Sequence, residues 1–559
     1  MNILFVVPLS MSHDDAFSPD INTSDTSVIY SKHHFEKRLQ PMYPTGVLSI
    51  SGYIQKHIPE ANIKMIDLNS VLIEKDLSKI TSPKEYPLED LMKEAFALVT
   101  DFTPDIISIS ALWTSVYKDL KPLVSFLRNC YPNSLVTCGG HLASTLYKSI
   151  YEANMDIDAL CFGEGEIPFL ELVRAISSGQ GEEYLSSSPC WITKEKLQSE
   201  PEFIPQNKVI IDLDEIPPTD LSVLVHPDIY FHPYHSFFEL ESRDPKRMFI
   251  FSTRGCPNSC IFCASHVVHG KRVRYHSVDR MKQDILHYNK QYGTTKFVFF
   301  DDHFLIKKDR AIEILRFIAE QGFTAEITTP AFFSIDADIV LAMKAAGIQA
   351  VNLTIESGNE DTLKRIIHKP GSLRKAEEVV DLLHAQGIIV MTNILSGFPG
   401  ETKESIDKGL DYLLTTKFNW FQLYTVAPLP GSELYEICQE NGYITASEDF
   451  SALGFFSSSI GTAEFTSEYI NTKVYEMNLK LNFINNYDYR TGNYSLALFL
   501  FEKLLKTISP KHAFAYYFAA KCCEKLHLDE KAKLYKKKYE EIIATDPFWR
   551  DWATKLLSS

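Results

Sequence analysis

The sequence predicts an α/β protein with two parallel-sheet domains followed by an α-helical tail. Short β-branched runs alternate with amphipathic segments five times before residue 180, and the alternation resumes for six more units after Met248. Beyond Gly442 the alternation stops and helix-like patterns replace it. Regular alternation is typical of β/α units, whose ligands bind at the carboxyl ends of the strands. We therefore expect functional residues in the loops that follow the strands.

Size and charge narrow the class of protein. The chain has 559 residues, enough for about three or four domains. Its formal net charge of −16 disfavours long-range attraction to nucleic acid. No apolar run approaches the roughly 20 residues that a membrane span needs, and the apolar start ends at Pro8 without basic residues before it. We expect no membrane span, no signal peptide and a cytoplasmic protein.

The first domain is predicted over residues 1–180. Its strand candidates are Ile3–Val7, Ile63–Asp67, Ile106–Ser110, Leu135–Cys138 and Ala159–Phe162. Helix-like segments between them predict a doubly wound, Rossmann-like parallel sheet. Glycines and small polar residues at three strand ends leave room for a bulky ligand, and the candidate binding residues are Ser108, Ser110, Gly139, Gly140, Gly163 and Glu164.

A polar, Pro-containing stretch at residues 181–246 is predicted to be a linker.

The second domain is predicted over residues 247–442. Its strand candidates are Met248–Ser252, Lys296–Phe300, Ala325–Thr329, Gln349–Ile355, Ile388–Leu395 and Trp420–Val426. Six β/α units favour an open, partial (β/α)6 barrel, with its chemistry at the carboxyl ends of the strands.

One loop of the second domain carries three thiols within eight residues: Cys256, Cys260 and Cys263. A closed structural zinc site takes four protein ligands, whereas a four-iron cluster held by three thiolates keeps one iron free. The trio therefore favours an iron–sulfur cluster and reduced thiols. The alternatives are a zinc loop completed by His266 or His269, or three incidental thiols.

The spacing Cys-x3-Cys-x2-Cys, with Phe262 before the last Cys, resembles the cluster loop of the radical S-adenosylmethionine superfamily. The resemblance implies a [4Fe-4S] cluster, S-adenosylmethionine on its free iron, reductive cleavage to a 5'-deoxyadenosyl radical, and an electron donor of the flavodoxin or ferredoxin type. By strand order it also implies S-adenosylmethionine contacts from Asp301, Asp302, Glu356, Ser357, Ser396 and Gly397. For the acidic pair and Glu356, helix capping is the alternative.

The first-domain loops, together with the segment Pro-Met-Tyr-Pro-Thr-Gly at 41–46 and the Gly-Glu-Gly-Glu at 163–166, resemble the cobalamin-binding domain fused to many such enzymes. This implies cobalamin as a cofactor. Many cobalamin proteins supply a cobalt ligand from an Asp-x-His-x-x-Gly loop, and none of the histidines of this domain lies in that pattern: His13, His33, His34, His57 and His141. We expect the lower face of cobalt to lack a protein nitrogen.

The C-terminal extension, residues 443–559, holds two approximate copies of one pattern. Ala497 is followed by Ala532 after 35 residues, and Pro510 by Pro547 after 37, close to the period of about 34 in tetratricopeptide helices. The resemblance implies a helical surface that could dock a protein partner. A plain helical cap is the alternative.

The leading hypothesis is a cobalamin-dependent radical S-adenosylmethionine enzyme that methylates an unactivated carbon, or phosphorus, of a small-molecule or peptide substrate. Radical cyclisation or rearrangement is the alternative outcome. Methylthio transfer would need a second cluster on Cys130, Cys138 and Cys161. A non-catalytic corrinoid or redox sensor is the alternative from a different class.

Overall fold

The computed structural model describes residues 1–17, 43–75, 82–231, 246–445, 450–454, 458–507 and 509–557. His33, His34 and Pro41 lie outside the described residues. The predicted α/β architecture is confirmed, with parallel sheets and many helices.

Six strands form the first sheet in the order β2-β1-β3-β4-β5-β6. Their bounds are β1 Asn2–Val7, β2 Asn62–Asp67, β3 Ile106–Ser110, β4 Leu135–Gly139, β5 Ala159–Cys161 and β6 Trp191–Ile192. The first five run parallel and β6 is antiparallel to β5. The carboxyl ends of five strands therefore meet at one edge.

Helices cover both faces of this sheet because neighbouring strand residues point in opposite directions. Phe5 packs in one apolar cluster with Leu48, and Leu4 packs in another with Leu91. The helices are α1 His13–Phe17, α2 Thr45–His57, α3 Leu68–Ile73, α4 Leu88–Ala97, α5 Tyr117–Cys130, α6 His141–Thr145, α7 Tyr147–Glu152, α8 Glu166–Ser177, α9 Gly181–Ser187 and α10 Lys194–Ser199.

Part of the stretch predicted to be a linker forms regular secondary structure. Helices α9 and α10 and strand β6 lie within it, and β6 extends the sheet. Trp191 is fully buried, and its indole N–H donates to the Pro168 carbonyl at 3.3 Å. A strand of two residues is too short to show a period-2 pattern, so a Ser- and Pro-rich composition concealed it.

The second part of the chain places its six main strands in two parallel sheets of three, ordered β11-β10-β7 and β12-β13-β14. A separate antiparallel pair, β8 and β9, follows β7. The bounds are β7 Arg247–Ile250, β8 Thr253–Arg254, β9 Arg274–Tyr275, β10 Lys296–Phe299, β11 Thr324–Ile327, β12 Ala350–Glu356, β13 Ile389–Ser396 and β14 Trp420–Thr425. Residues of both sheets share one apolar core.

Helices follow these strands on the outside. They are α11 Ser265–His269, α12 Val278–Tyr292, α13 Lys308–Glu320, α14 Ala337–Ala345, α15 Leu373–Ala385, α16 Lys403–Thr415 and α17 Glu433–Glu440, with a π-helical turn at Thr362–Ile367. The wide turn sits where the chain passes from β12 to α15. Its position next to the candidate site agrees with the frequent use of π-bulges at functional sites.

The tail is α-helical, as predicted. Its helices are α18 Ser467–Leu479, α19 Tyr487–Arg490, α20 Tyr494–Thr507, α21 Ala513–Lys525, α22 Asp529–Thr545 and α23 Pro547–Leu557. Phe483 and Phe501 share an apolar cluster with Met391 and Trp420, which lie near the amino ends of β13 and β14. The tail thus packs against the end of the sheet opposite to the strand carboxyl ends. No helix in the described part of the chain is long and apolar enough to cross a bilayer.

Candidate active site

The loop with the three cysteines leaves and returns through a narrow neck. Arg254 in β8 and Arg274 in β9 oppose each other in the antiparallel ladder. Gly255, directly after β8, has φ of 90°, and a Cβ there would lie 2.5 Å from the carbonyl oxygen of Arg272. Only glycine fits this position.

The three thiols are free and partly exposed within the loop. Burial raises the pKa of Cys260 to about 11, and the nearby negative groups, Cys263 and Glu356 among them, add to the effect, while Lys369 opposes it. Burial also raises the pKa of Cys256 and Cys263. A bound metal would reverse these pKa shifts by stabilising the thiolates.

No three His, Cys, Asp or Glu side chains in the described ranges come together as ligands of one metal ion. A four-iron cluster makes a different demand, since each thiolate binds a different iron and the three sulfurs lie farther apart than the ligands of one ion. The donor set is three thiols on one loop. It fits a cluster better than the zinc site considered as the alternative.

Asp302 joins the two ends of the cysteine loop. One carboxylate oxygen accepts the Gly255 N–H at 2.8 Å, and the other accepts the Ser265 hydroxyl at 2.7 Å. The neighbouring Asp301 accepts the backbone N–H of Thr253 and the Ser252 hydroxyl. Both carboxylates, which the sequence predicted to contact S-adenosylmethionine, hold the loop in place in this structure. Asp302 is exposed.

The middle of the loop is fixed by backbone contacts with the π-helical turn after β12 and with α17 after β14. The Ile261 N–H donates to the Ile367 carbonyl at 3.1 Å, and its carbonyl accepts the Leu434 N–H at 2.9 Å. Phe262 packs against Phe398, with 6.2 Å between ring centroids. The loop is therefore docked against the segments that follow β12, β13 and β14.

Glu356, at the end of β12, has φ of 65°, a left-handed conformation that is uncommon outside glycine. Its carboxylate lies 2.8 Å from the Nζ of Lys369, and both side chains are more than nine-tenths buried. Ser357 is buried and accepts the Asn359 N–H through its hydroxyl. Strain at a strand end that faces the thiols is typical of a functional position.

Lys369 was not among the sequence candidates. It also lowers the pKa of His303, whose pKa is lowered first by burial. His303 directly follows Asp302, and its Nε2 lies 3.4 Å from the Ser334 hydroxyl. The Lys-Pro-Gly turn after the π-helical turn is the only sequence signal for Lys369, and it indicates a bend rather than a ligand contact.

Ser396 and Gly397 end β13 in a tight turn. Gly397 has φ of 99°, and a Cβ there would lie 3.0 Å from the Ile470 side chain. The buried carboxylate of Glu401 accepts the N–H groups of Gly397 and Phe398, each at 2.9 Å. Glu401 therefore stabilises this turn by hydrogen bonds to its backbone. Glu401, like Lys369, was not among the residues predicted from the sequence.

At the first sheet, the loops after β3 and β4 are in close contact. Gly140 has φ of 97°, and a Cβ there would lie 2.7 Å from the Ala111 carbonyl oxygen. Ser110 pairs with Gly139 in the ladder. Leu112 and Trp113, just after β3, are 51% and 40% exposed. Exposed apolar side chains beside a glycine turn suit the flat, apolar faces of a large ring ligand.

The turn after β5 contacts the neck of the cysteine loop. Glu164 is buried and bound by Arg254, Arg274 and His269. Gly163 has φ of 76°, and a Cβ there would overlap the Asn207 side chain. The first-domain edge and the cysteine loop are therefore adjacent.

The thiols considered for a second cluster are dispersed. Cys130 is exposed at the end of α5, whereas Cys138 and Cys161 are buried in the first sheet. Burial raises the pKa of Cys138 to about 12. Cys138 and Cys161 are core side chains, and Cys130 lies apart from them at the surface, so the three do not form a ligand set.

Comparison with known proteins gives two domain matches: residues 250–413 match the radical SAM superfamily, and residues 36–173 match the B12 binding domain. The chain is 29% identical to an uncharacterized methyltransferase of Pyrococcus horikoshii over 64% of this chain and 74% of that protein. It is 23% identical to cytidylyl-2-hydroxyethylphosphonate methyltransferase of Streptomyces wedmorensis over 73% and 79%.

Among solved structures, the cobalamin-dependent S-adenosylmethionine radical enzyme OxsB, with aqua-cobalamin and S-adenosylmethionine bound, superposes with a TM-score of 0.61 at 13% identity, covering 99% of this chain and 84% of that one. At this identity the likeness concerns the fold. The two domain matches define a class, the radical S-adenosylmethionine enzymes with a B12-binding domain. The chain carries both domain matches.

Proposed function

We propose that the protein is a cobalamin-dependent radical S-adenosylmethionine methyltransferase. The observation that carries the proposal is the contact between the two matched domains: Glu164 of the first-domain turn pairs with Arg254 at the neck of the cysteine loop. The buried Glu356–Lys369 pair lies near the Cys260 thiol of the same loop. A methyl carrier and a radical source must lie close together for such chemistry. The contact between the first-domain turn and the cysteine loop therefore supports the proposed methyl transfer.

In this proposal the first sheet is the Rossmann-like cobalamin domain, and the two three-stranded sheets together form the partial (β/α)6 barrel. The domain boundaries stay as predicted from the sequence, except that α9, β6 and α10 are assigned to the first domain. Ser108, Ser110, Gly139, Gly140, Gly163 and Glu164 line or support the corrinoid edge. Leu112 and Trp113 are added as apolar cover.

Cys256, Cys260 and Cys263 would hold the [4Fe-4S] cluster. When bound, the cofactors supply an electron for cleavage of S-adenosylmethionine and a carrier for the methyl group. The chain itself would bind and orient. Asp301, Asp302, Glu356, Ser357, Ser396 and Gly397 form the S-adenosylmethionine site in this proposal.

Lys369 is a further member of that site. An ammonium beside a carboxylate can neutralise the carboxylate end of S-adenosylmethionine, and Glu356 can accept from its amino end, so the pair would open to receive a zwitterion of matching charges. Burial of both side chains strengthens such contacts because little water competes for them.

Methylation is proposed over cyclisation because the two relatives described above are both named methyltransferases.

The proposed substrate is a small molecule or a peptide. An electron donor of the flavodoxin or ferredoxin type would reduce the cluster, and reduced thiols suit a reducing compartment such as the cytoplasm. The tail helices α20 to α23 are the proposed surface for a protein partner.

The test is methyl transfer from labelled S-adenosylmethionine. Anaerobic protein, reconstituted with iron, sulfide and hydroxocobalamin, is incubated with a reductant, S-adenosylmethionine carrying a trideuterated methyl group, and small-molecule extract of an overexpressing strain. A product that carries the deuterated methyl group supports the proposal. Formation of 5'-deoxyadenosine with an unmethylated, cyclised or rearranged product would instead support the alternative outcome.

A further inference from the structure

One carboxylate of the first domain contacts both strands of the neck below the cysteine loop. The Nη1 of Arg274 lies 2.9 Å from the Oε2 of Glu164, and the Nη1 of Arg254 lies 3.2 Å from the same oxygen. The two arginines are cross-strand neighbours in β8 and β9. The Glu164 side chain is only 2% exposed, so water does not compete for these contacts.

A second carboxylate completes the network. Glu166 accepts from the Nη2 of Arg254 at 2.7 Å and from the Ser49 hydroxyl at 2.6 Å. Burial raises the pKa of Glu164, but Arg254, Arg274 and His269 outweigh burial and hold that pKa well below its usual range. Two carboxylates thus balance two guanidinium groups, and loss of one partner would leave a buried charge uncompensated.

The other side of the same turn reaches the edge where the corrinoid is placed. The Gly163 N–H donates to the Ser144 hydroxyl at 3.0 Å, and Ser144 lies in α6, directly after the Gly139–Gly140 loop. The Glu164 N–H donates to the Asn207 side chain, which in turn donates to the Val268 carbonyl in α11. The turn therefore contacts both the corrinoid edge and the cysteine loop.

We propose that Glu164 is a positioning residue that couples cobalamin binding in the first domain to cluster binding in the cysteine loop. A ligand that orders the turn also orders the neck, and the reverse holds by reciprocity of binding free energies. Couplings of this kind change affinity by about 5- to 150-fold. The inference rests on the proposed function, because it needs both cofactors.

The test compares two dissociation constants of hydroxocobalamin, one for cluster-loaded protein and one for the same protein after iron removal, each followed by corrin absorbance under anaerobic conditions. In the wild type, cluster-loaded protein should bind hydroxocobalamin at least about fivefold more tightly. In Glu164→Gln the ratio of the two constants should fall close to one. A wild-type ratio of one, or an unchanged ratio in Glu164→Gln, would overturn the proposal.

The matched control is Glu171→Gln. Glu171 lies in α8 and pairs with Lys208 at the surface, away from the neck. It should keep the wild-type ratio. A purely structural role of Glu164 would weaken both affinities equally and leave the ratio unchanged, so the ratio separates positioning from general stability.

A second measurement guards against a misfolded variant. By reciprocity, wild-type protein equilibrated with an iron chelator should retain more iron when hydroxocobalamin is bound, and equal iron retention would overturn the coupling.

A double-mutant cycle tests the shared contact. Arg274→Gln and the double variant Glu164→Gln/Arg274→Gln should show non-additive effects on the ratio of the two hydroxocobalamin dissociation constants, whereas additive effects would contradict a shared contact. Wild-type protein that takes up no cobalamin would refute the proposed function itself, which is a different result from a ratio of one.

Discussion

The Nζ of Lys369 lies 2.8 Å from the Oε1 of Glu356, and both side chains are more than nine-tenths buried. Both residues lie near the thiol of Cys260, whose pKa is raised first by burial and then by Glu356, and is lowered by Lys369. A buried ion pair next to a proposed zwitterion site can exchange its internal contact for contacts with the ligand. This relationship leads to the first prediction.

Lys369→Ala and Glu356→Ala should each weaken S-adenosylmethionine binding to cluster-loaded protein by roughly ten- to a hundredfold, since a polar contact to a charged ligand contributes about 1.5–3 kcal/mol. Equilibrium dialysis measures the affinity, and iron content should stay unchanged. Lys364→Ala is the control, because Lys364 pairs with Glu360 at the surface. Wild-type affinity in both variants would move the ligand site elsewhere.

Asp302→Ala should accelerate the loss of iron to a chelator by about tenfold or more, because hydrogen bonds to a carboxylate contribute about 1.5–3 kcal/mol each and two of them close the loop. Asp302→Asn keeps an acceptor and should lie between that variant and the wild type. Asp309→Ala removes an exposed acid from α13 and serves as the control. If Asp302→Ala retains iron normally yet binds S-adenosylmethionine more weakly, Asp302 serves the ligand rather than the loop.

The pH dependence of stability should reveal Glu401. Burial raises its pKa to about 7, although the N–H groups of Phe398 and Gly397 oppose the shift. The folded protein then binds the proton more tightly than the unfolded chain. The stabilising contribution is therefore complete below the unfolded pKa of about 4.3 and is lost as pH rises through about 7, by up to about 4 kcal/mol.

Glu401→Gln cannot ionise, so its melting temperature should fall less than that of the wild type between about pH 5 and about pH 8. Differential scanning fluorimetry at matched ionic strength measures this difference. Glu404→Gln changes an exposed residue three positions later and should behave as the wild type. Parallel pH profiles for the wild type and Glu401→Gln would show that Glu401 is already ionised in the folded protein.

The sequence predicted the strands of both domains because strand and helix periods are local properties. All six main strands of the second domain lie within a few residues of their predicted positions, and the five predicted strands of the first sheet are likewise present. Strand β6 was missed because two residues, Trp191 and Ile192, carry no period. The split into two sheets of three could not be predicted, since strand pairing is non-local.

In the candidate site, too, the local patterns could be predicted from the sequence and the non-local contacts could not. The spacing of Cys256, Cys260 and Cys263 is a local signal and predicted the loop directly. Lys369 reaches Glu356 only because the intervening π-helical turn folds back. The contact of Glu164 with Arg274 spans 110 residues and depends on how two domains pack. The assignment of Asp302 and Glu356 to S-adenosylmethionine stays a prediction.

Cobalt(II) in the bound corrinoid should show no nitrogen splitting on its electron paramagnetic resonance lines. Burial, followed by the nearby His266, lowers the pKa of His141 to about 4, so the imidazole is neutral, but its Nε2 is shielded within the fold. His141→Ala should therefore leave the spectrum unchanged, and loss of a nitrogen splitting in that variant would identify His141 as the ligand.

The most direct measurement is the formation of 5'-deoxyadenosine by anaerobically reconstituted protein with a reductant and S-adenosylmethionine. The wild type, with about four irons per chain, should produce it, and Cys130→Ala, which changes an exposed thiol, should produce it equally well. Cys256→Ala, Cys260→Ala and Cys263→Ala should lose both the iron and the product. No 5'-deoxyadenosine from cluster-loaded wild type, or full turnover in any one of the three loop variants, would contradict the assignment of this chain as a radical S-adenosylmethionine enzyme.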